Sequence, residues 1–584
     1  MCVQGKWHHR SGPLFLVAFS PLIEIVSLPC LLGAGLYFSV VFDTWCTMRA
    51  PSFLFSFPAI SIASASSFRS LFTKTLFVEY TRCKKSAYWH HHNNNNRKSS
   101  VDVSVPDRAK WDLGTRQRME VGTRLGEIAR EACFPGGTLI AALDSADAMA
   151  DTAAAMQVCG NEKPIYEAAF TTPKGLHARV DILVPIPSST SSFIEYDLVE
   201  VKMSTKVKKS HVSDIHFQRF VLREVGVNVR KCKLLLVDRS FKLGEQHISN
   251  MFREIDVSSD VATIDTRIAF EAEKASRMFS SSSVPEGIVG RHCSQPWKCA
   301  FWNECHSSLP FDHVARLSRA SPKLLRKLQN DAIDRIRDIP VNYDGISDAQ
   351  RDIVRAVRDG TVVVASALPR VLGELSDPLH FLDFETLQPA IPLFRGTSPY
   401  ETVPFQWSMH TIDGDQLHHC DFIHSEATDP RKPFLLSLFE ALSKDSGPIV
   451  VYSSYEERIL RYLLKVYPSY EPGIRAIVDR LFDLEKMVRK HVVHPMCLGS
   501  SSLKAVLPAF VPSLTYDDIT VQEGASASAA YECIATGALD DDHTAREKTL
   551  NDLKEYCKRD TLAMVRLHQS LLLHHQATEQ KQVE

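Results

Sequence analysis

The chain has 584 residues, of which 44% are hydrophobic and 23% charged, and this composition excludes a fibrous or wholly disordered protein. The length exceeds what one hydrophobic core usually serves, so we expect two or three domains. A formal net charge of -2 excludes binding of nucleic acid through bulk positive charge, so any such contact must be local.

Residues 1–70 form an N-terminal extension with two overlapping targeting signals. Residues 13–42 are almost continuously apolar, as in a signal sequence or a membrane span. From Met48 the sequence is rich in serine and has no acidic residue until after Lys74, which is typical of an organelle transit peptide. We predict import into an organelle, a mitochondrion before a plastid. A membrane anchor, a cytoplasmic location and a true start further along the chain are the alternatives.

Residues 71–310 have the pattern of an α/β domain, because predicted strands alternate with predicted helices. Amphipathic spacing indicates helices over 111–133 and 210–225. Apolar runs predict strands at 138–143, 166–170, 178–184, 193–201 and 231–237.

Two of these strands carry charged residues in an otherwise apolar sequence. Asp181 interrupts one strand, and Glu200 and Lys202 share a face of the next because they lie at positions i and i+2. If the strands pair, the carboxylates can bind Mg²⁺ and the lysine can lie beside the attacking water, as phosphodiester hydrolysis requires. The pattern D-x18-E-x-K resembles that of the PD-(D/E)XK nucleases. A solvated strand face is the alternative.

The neighbouring sequence resembles the RecB-like members of that group. Gln218, on the following predicted helix, matches the glutamine that these enzymes place beside the lysine, and Glu167 is a further candidate carboxylate. RecB-like enzymes commonly carry Gly-x3-His on an upstream helix, whereas residues 122–126 of this chain lack the histidine. An inactive binding platform is therefore the alternative for this site.

The 14 cysteines are too sparse for a disulfide scaffold and indicate a reducing compartment with a few special thiols. Cys293, Cys299 and Cys305 are evenly spaced within 13 residues, one ligand short of a closed metal set. Cys83 is the best fourth candidate. One cysteine before and three after a nuclease core resembles the iron-sulfur staple of CRISPR-associated RecB-like exonucleases, which implies a 4Fe-4S cluster. A structural zinc and unliganded cysteines are the alternatives.

Residues 311–375 have a polar, helical pattern that predicts a linker, and a new apolar strand begins at Leu379. Asp383 and Glu385 lie at i and i+2 of that strand and therefore share one face. Because the other positions are strongly apolar, a solvated strand is a poor explanation for these two acids.

Further acids follow on elements of suitable type. Glu456 follows the apolar run 449–452 and opens a predicted helix, and Tyr556 and Asp560 lie one helical turn apart. This order resembles the tyrosine subclass of DnaQ-like (DEDD) exonucleases, with Glu456 where the family has Asp. The resemblance implies four carboxylates holding two Mg²⁺ or Mn²⁺ ions, with Tyr556 orienting the water. Asp483 is expected to cap a helix. A ribonuclease-H-like fold without catalysis is the alternative.

Both halves together resemble an uncharacterised bacterial family that joins a RecB-like module with a cysteine cluster to a DnaQ-like domain. The phrases FLDFETLQPAIPLFRGTSPYETVPFQWSMH and EYCKRDTLAMV carry the resemblance, which covers about 71–572. It implies a PD-(D/E)XK restriction-endonuclease-like domain (71–310), a helical linker (311–375), a ribonuclease-H-like domain (376–575) and a tail (576–584).

The function implied is that of a metal-dependent nuclease of the exonuclease type, acting on a DNA single strand or duplex end, with RNA as the second substrate class. No small-molecule substrate is expected, and the sequence leaves the oligomeric state open. The alternative is a nucleic-acid-binding scaffold in which one or both sites are inactive.

Overall fold

The computed structural model describes residues 71–95, 113–158, 162–187, 194–258, 261–295 and 298–583. The N-terminal extension predicted over 1–70 lies outside these ranges. None of the helices within them is both long and apolar enough to cross a membrane.

The fold is a mixed α/β arrangement, and its first sheet lies within residues 72–256. The strand order is β2-β3-β4-β5-β6-β7, with β1 pairing parallel to β4. The central β4 and β5 run antiparallel, and Val180, Ile182 and Val199 on them are fully buried. The strands are β1 (Phe72–Thr73), β2 (Thr138–Leu139), β3 (Ile165–Thr171), β4 (Leu176–Ile186), β5 (Glu195–Lys202), β6 (Asn228–Val237) and β7 (Phe252–Asp256).

Helices cover this sheet, and the first begins at a side-chain cap. The Thr73 hydroxyl accepts a hydrogen bond from the Leu76 amide at 3.2 Å, which satisfies one of the free amides of the first turn. The helix ends at Cys83, whose backbone is extended. The helices of this region are α1 (Lys74–Arg82), α2 (Lys84–Asn95), α3 (Leu113–Cys133), α4 (Ser145–Val158), α5 (Lys209–Glu224), α6 (Val261–Phe279) and α7 (Trp302–His306).

The segment predicted as a linker packs a hydrophobic core of its own. Leu328, Ile336 and Val354 are fully buried in that core, which also includes Leu498 from later in the chain. The strong apolar stripes of its two longer helices require such burial, which a solvated linker would not provide. The elements are α8 (Pro322–Asn330), α9 (Asp348–Asp359), β8 (Val363–Val364) and α10 (Ala367–Gly373).

The second sheet has the order β11-β10-β9-β12-β13. Strand β9 runs antiparallel to β10 and parallel to β12, so it lies in the middle of the sheet. Phe381 and Leu382 on β9 are fully buried. The strands are β9 (Leu379–Leu387), β10 (Val403–Asp413), β11 (Gln416–Ile423), β12 (Ile449–Val451) and β13 (Leu481–Asp483).

The remaining elements surround this second sheet. Strand β14 (Val492–Val493) pairs with β8, and helix α17 (His543–Val583) contacts β9 and β10. The helix continues through most of the segment predicted as a tail. The other helices are α11 (Arg431–Leu442), α12 (Tyr455–Val466), α13 (Glu471–Val478), α14 (Leu484–His491), α15 (Leu503–Phe510) and α16 (Gly524–Ala535).

The regions around the two sheets are joined by backbone hydrogen bonds. The Leu243 amide donates to the Thr397 carbonyl at 3.0 Å, and the Gly396 amide donates to the Leu243 carbonyl at 2.8 Å. The buried Phe241 packs in a hydrophobic cluster that includes Tyr400. These contacts hold the two regions against each other.

Candidate active sites

The first site gathers charged side chains from β4, β5 and α5. Asp181 lies on β4, and its Oδ2 accepts a hydrogen bond from the Val201 amide at 2.9 Å. Lys202 Nζ lies 2.7 Å from Glu200 Oε1, and Gln218 Nε2 donates to Glu200 Oε2 at 2.8 Å. The structure therefore brings together all four residues that were predicted for this site.

Sequence analysis missed a second lysine in this site. Lys74 opens α1, and its Nζ lies 2.9 Å from Glu200 Oε1 and 3.5 Å from Asp181 Oδ1. The pairing of β1 with β4 delivers Lys74 from far upstream in the sequence. Because β1 has only two residues and pairs with a strand far along the chain, no local sequence pattern predicts the position of this lysine.

Asp214 completes the first site, and Glu167 does not enter it. Asp214 contacts Lys202, and its Oδ1 accepts from Gln218 Nε2 at 3.1 Å. Glu167 instead lies 3.2 Å from Arg179, with Arg130 on its other side. Its carboxylate is thus engaged by arginines outside the lysine-containing group.

Protein donors occupy every carboxylate oxygen of Asp181 and Glu200. Burial, with Glu200 nearby, raises the pKa of Asp181 to about 7. Burial opposes ionisation of Glu200, but Lys74 and Lys202 lower its pKa to about 2. Both lysines have raised pKa values despite burial, because the acids surround them. The first site therefore supplies its own positive charge.

The second site gathers four acids from three elements. Asp383 and Glu385 lie on β9, Glu456 lies in the first turn of α12, and Asp560 lies on α17. Burial raises the pKa of Asp383, and the charges of the other three acids raise it further, in the order Asp560, Glu385 and Glu456. Tyr556 bonds to Asp560 and is 4% exposed. The five residues predicted for this site thus lie together.

Burial is the largest cause of raised pKa values in this site, and mutual repulsion adds to it. The pKa of Glu456 rises to about 8, and those of Asp383, Glu385 and Asp560 also rise. Glu456 Oε2 is buried and has no hydrogen-bond partner among the described residues. Among the described residues, Lys504 and Arg458 oppose this rise in pKa, but they do not cancel it.

Lys504 and Tyr516 also contribute to the second site. Lys504 Nζ lies 3.4 Å from Tyr556 Oη, and its charge opposes the rise in the Glu385 pKa. Tyr516 donates its hydroxyl to Asp560 Oδ1 at 2.5 Å. Sequence analysis assigned no role to Tyr516.

Two small residues shape the same site. Gly524 begins α16, and a β-carbon there would lie 3.9 Å from Glu385 Oε2. Cys557, which follows Tyr556 on α17, places Sγ 3.4 Å from Asp383 Oδ2. The position of Cys557 could have been expected, because it lies three residues before Asp560 and shares its helix face.

Asp483 has the role predicted for it. It caps α14 by accepting a hydrogen bond from the Lys486 amide at 2.8 Å. Its charge also contributes to the raised pKa of Glu456, so it lies near the second site.

The four predicted cysteines line a single small cavity. Its walls include Cys83, Cys293, Cys299 and Cys305, although the first lies more than 200 residues before the others. Ser86 connects them: its amide lies 3.5 Å from Cys83 Sγ and its hydroxyl 3.7 Å from Cys299 Sγ. Burial raises the pKa of Cys305 to about 11 and also raises that of Cys293.

The remaining walls of the cavity are mainly aromatic and basic. They are Arg82, Ser86, Trp89, His292, Phe301, Trp302 and His306. Arg82 donates from Nε and Nη2 to the His292 carbonyl at 3.1 and 2.8 Å, which ties the end of α1 to the segment that carries the later cysteines.

Comparison with known proteins identifies one part of the chain. A comparison with curated proteins found no match. Residues 380–502 match a family described as "Domain of unknown function (DUF2779)". The matched segment includes Asp383, Glu385 and Glu456 and ends before Tyr556 and Asp560. It is thus similar to an uncharacterised domain family over the part of the second site that comes from β9 and α12.

Proposed function

We propose that this protein is a metal-dependent nuclease whose catalytic centre is the second site. The observation that supports this most strongly is the convergence of four acids, of which Glu385, Glu456 and Asp560 are buried and Asp383 is partly buried. Glu456 Oε2 has no hydrogen-bond partner among the described residues. Carboxylates grouped in this way repel one another, and bound divalent cations would relieve that repulsion. The donor set is all oxygen apart from one thiol, which suits Mg²⁺ or Mn²⁺.

Asp383, Glu385, Glu456 and Asp560 would hold the ions, which when bound supply Lewis-acid activation of a phosphate and a water of lowered pKa. Tyr516 holds Asp560 in place through its hydrogen bond. The closeness of Asp383 and Glu385, which each place one oxygen within 4.8 Å of the other, supports this assignment.

The other residues of the site act on the substrate and the attacking water. The Lys504 ammonium is adjacent to the Tyr556 hydroxyl and provides a positive charge for a phosphate oxygen. Tyr556 orients the water through its hydroxyl, since its raised pKa keeps it protonated at neutral pH. Helix α16 begins at Gly524 without a side-chain cap, so the amides at its start would be donors for a second phosphate.

We propose a fold type for the domain around each sheet. The second sheet, with acids on its central strand and a last acid from a C-terminal helix, supports a ribonuclease-H-like domain of the DEDD type. The first, with Asp181 and Glu200 on paired antiparallel strands, supports a PD-(D/E)XK-type domain. The proposed domain limits remain 71–310 and 376–575, with the helical module of 311–375 between them.

The proposed substrate is DNA, as a single strand or a duplex end, with RNA as the other class to be tested. The purified full chain should be incubated with end-labelled single- and double-stranded DNA and RNA in Mn²⁺, Mg²⁺ or EDTA. Ladder-like shortening of at least one substrate that stops in EDTA is expected. If none of these substrates is cleaved in a metal-dependent way, the proposed function is wrong.

A second candidate function applies to the first site alone. Lys74 occupies the space between Asp181 and Glu200, and a divalent ion bound by both acids would have to displace its ammonium. This favours a nucleic-acid-binding platform over a second cleavage centre. Comparison of Asp383→Asn with the double variant that also carries Lys202→Ala would separate the two functions. If Asp383→Asn still cleaves and the double variant does not, the first site is catalytic.

We propose that the cysteine cavity holds a 4Fe-4S cluster. Four thiols line it without any carboxylate, as the thiolate ligands of a cluster would. One cysteine near the start of the domain and three after its sheet also match the arrangement of the iron-sulfur staple, which favours a cluster over the zinc alternative. Iron and sulfide analysis of anaerobically purified protein distinguishes the two.

We also propose organelle import, on the composition of residues 48–74 alone. A fluorescent fusion carrying residues 1–95 should accumulate in mitochondria, and a fusion beginning at residue 71 should not. Equal distribution of the two would reject the targeting role.

A further inference from the structure

Cys557 is the thiol that the described residues place at the second site, and its position differs from that of an ordinary core cysteine. Its side chain is fully buried on α17, and Sγ lies 3.4 Å from Asp383 Oδ2. One ligand atom each from Asp383, Glu385 and Cys557 lie within 4.8 Å of one another. Three potential donors from two elements therefore face one small volume.

A second observation indicates that this volume is built for a cation. Glu456 is 3% exposed, its Oε2 has no hydrogen-bond partner among the described residues, and its charge acts on both Asp383 and Glu385. A buried, partnerless carboxylate oxygen is costly unless something positive satisfies it. The thiol is thus next to an unsatisfied anionic centre.

We propose that Cys557 is a metal ligand of the second site, which gives that site a preference for a soft divalent cation such as Cd²⁺ over Mg²⁺, with Mn²⁺ between the two. This inference rests on the proposed nuclease function and deepens it by naming what selects the ion. Carboxylates alone suit Mg²⁺, whereas a sulfur donor adds affinity for softer ions.

The chemistry of binding is simple. The neutral thiol donates its hydrogen to Asp383 in the metal-free protein. When a cation binds, the thiol proton and the proton that Asp383 holds in the metal-free protein both leave to solvent, and the thiolate and the Asp383 carboxylate both become donors to the ion. No oxidant or other co-reactant takes part.

The test uses the full chain with its cysteine cavity unchanged, and it compares wild type with Cys557→Ser, Asp383→Asn and Cys497→Ser. Cys497 is a matched control because it is also buried in this region, and its thiol donates to the Ala505 carbonyl, 3.6 Å away, and not to an acid. Binding of Mg²⁺, Mn²⁺ and Cd²⁺ is measured by calorimetry, and Cd²⁺ binding also by the ultraviolet thiolate-to-cadmium absorption band.

In Cys557→Ser we expect Cd²⁺ affinity to fall by roughly tenfold to a hundredfold, with Mg²⁺ affinity unchanged. Part of the cadmium band should disappear in Cys557→Ser and equally in Asp383→Asn, since the thiolate and the acid share one ion. Cys497→Ser should behave as wild type. The loss in Asp383→Asn keeps the test decisive even if Cys557→Ser folds poorly.

Two other outcomes would overturn the inference in different ways. If Asp383→Asn loses metal affinity but Cys557→Ser keeps wild-type affinity and band for every ion, acids alone bind the metal and the nuclease proposal survives. If wild type binds no cation more tightly than Asp383→Asn, the metal centre itself fails and the proposed function fails with it.

Discussion

Removal of one acid from the second site should stabilise the metal-free protein, which is the reverse of what loss of a buried hydrogen-bonded acid does. In Asp383→Asn, the new side chain is neutral and needs no proton. In wild type, burial and the neighbouring acids raise the pKa of Asp383 well above its ordinary value of 3.8, so folding favours its protonated form. At pH 7 that preference can cost at most roughly 4 kcal/mol, at about 1.4 kcal/mol per pH unit above the ordinary pKa.

Because four acids share the repulsion, we expect about half of this figure, roughly 2 kcal/mol, to be recovered by Asp383→Asn. For a domain of about 200 residues that corresponds to a rise in Tm of about 4–8 °C in EDTA. In Mn²⁺ wild type should be the more stable of the two proteins. At a Mn²⁺ concentration 100 times its Kd, wild type gains about 2.7 kcal/mol of unfolding free energy, and Asp383→Asn gains much less because it has lost a metal ligand.

Thermal melts in EDTA and in Mn²⁺ measure both differences, and Asp445→Asn provides the matched control. Asp445 accepts hydrogen bonds from His380 and Arg480 at 2.8 and 3.0 Å, and its pKa is lowered, so its loss should reduce Tm in both buffers. If Asp383→Asn instead lowers Tm in EDTA as Asp445→Asn does, the acids of the second site do not repel one another and our reasoning is wrong.

Four further results are expected. Metal-free wild type should lose stability as pH rises from about 4.5 to about 8, because folded Glu456 keeps a proton that the unfolded chain releases; melts of Glu456→Gln in EDTA should show a flatter profile. Tyr556→Phe should slow cleavage at least tenfold yet keep the Mn²⁺-induced rise in Tm. Cys293→Ser should lose the visible absorbance of a cluster and lower the Tm of the first domain. Lys74→Met should bind one more Mn²⁺ ion per chain than wild type in calorimetry, because the Lys74 ammonium no longer lies between Asp181 and Glu200. An unchanged number of bound ions would contradict this role of Lys74.

Residue spacing within single elements was readable from the sequence, and it located most of the second site. Asp383 and Glu385 share a strand face, and Tyr556 and Asp560 share a helix face, so period-2 and one-turn rules sufficed. Whether the elements meet depends on the order of strands in a sheet, which spacing does not encode. The structure supplies that order by placing β9 beside β12 and against α17.

What the sequence could not provide were partners delivered by long-range packing. Lys74 reaches the first site only through the pairing of β1 with β4, and Tyr516 reaches Asp560 from an irregular segment. The segment 311–375 was predicted as a linker because its sequence has a polar, helical pattern. Its helices nevertheless bury leucine and isoleucine stripes in a shared core, which an amphipathic pattern could have indicated.

The most direct test of the central claim is the single-turnover rate of cleavage in Mn²⁺ of an end-labelled strand by two variants that each disable one site. Asp383→Asn removes an acid from the second site, and Lys202→Ala removes the predicted catalytic lysine of the first. We predict that Asp383→Asn abolishes cleavage while Lys202→Ala retains most of the wild-type rate. Full cleavage by Asp383→Asn together with loss of cleavage in Lys202→Ala would place catalysis in the first site and contradict our account.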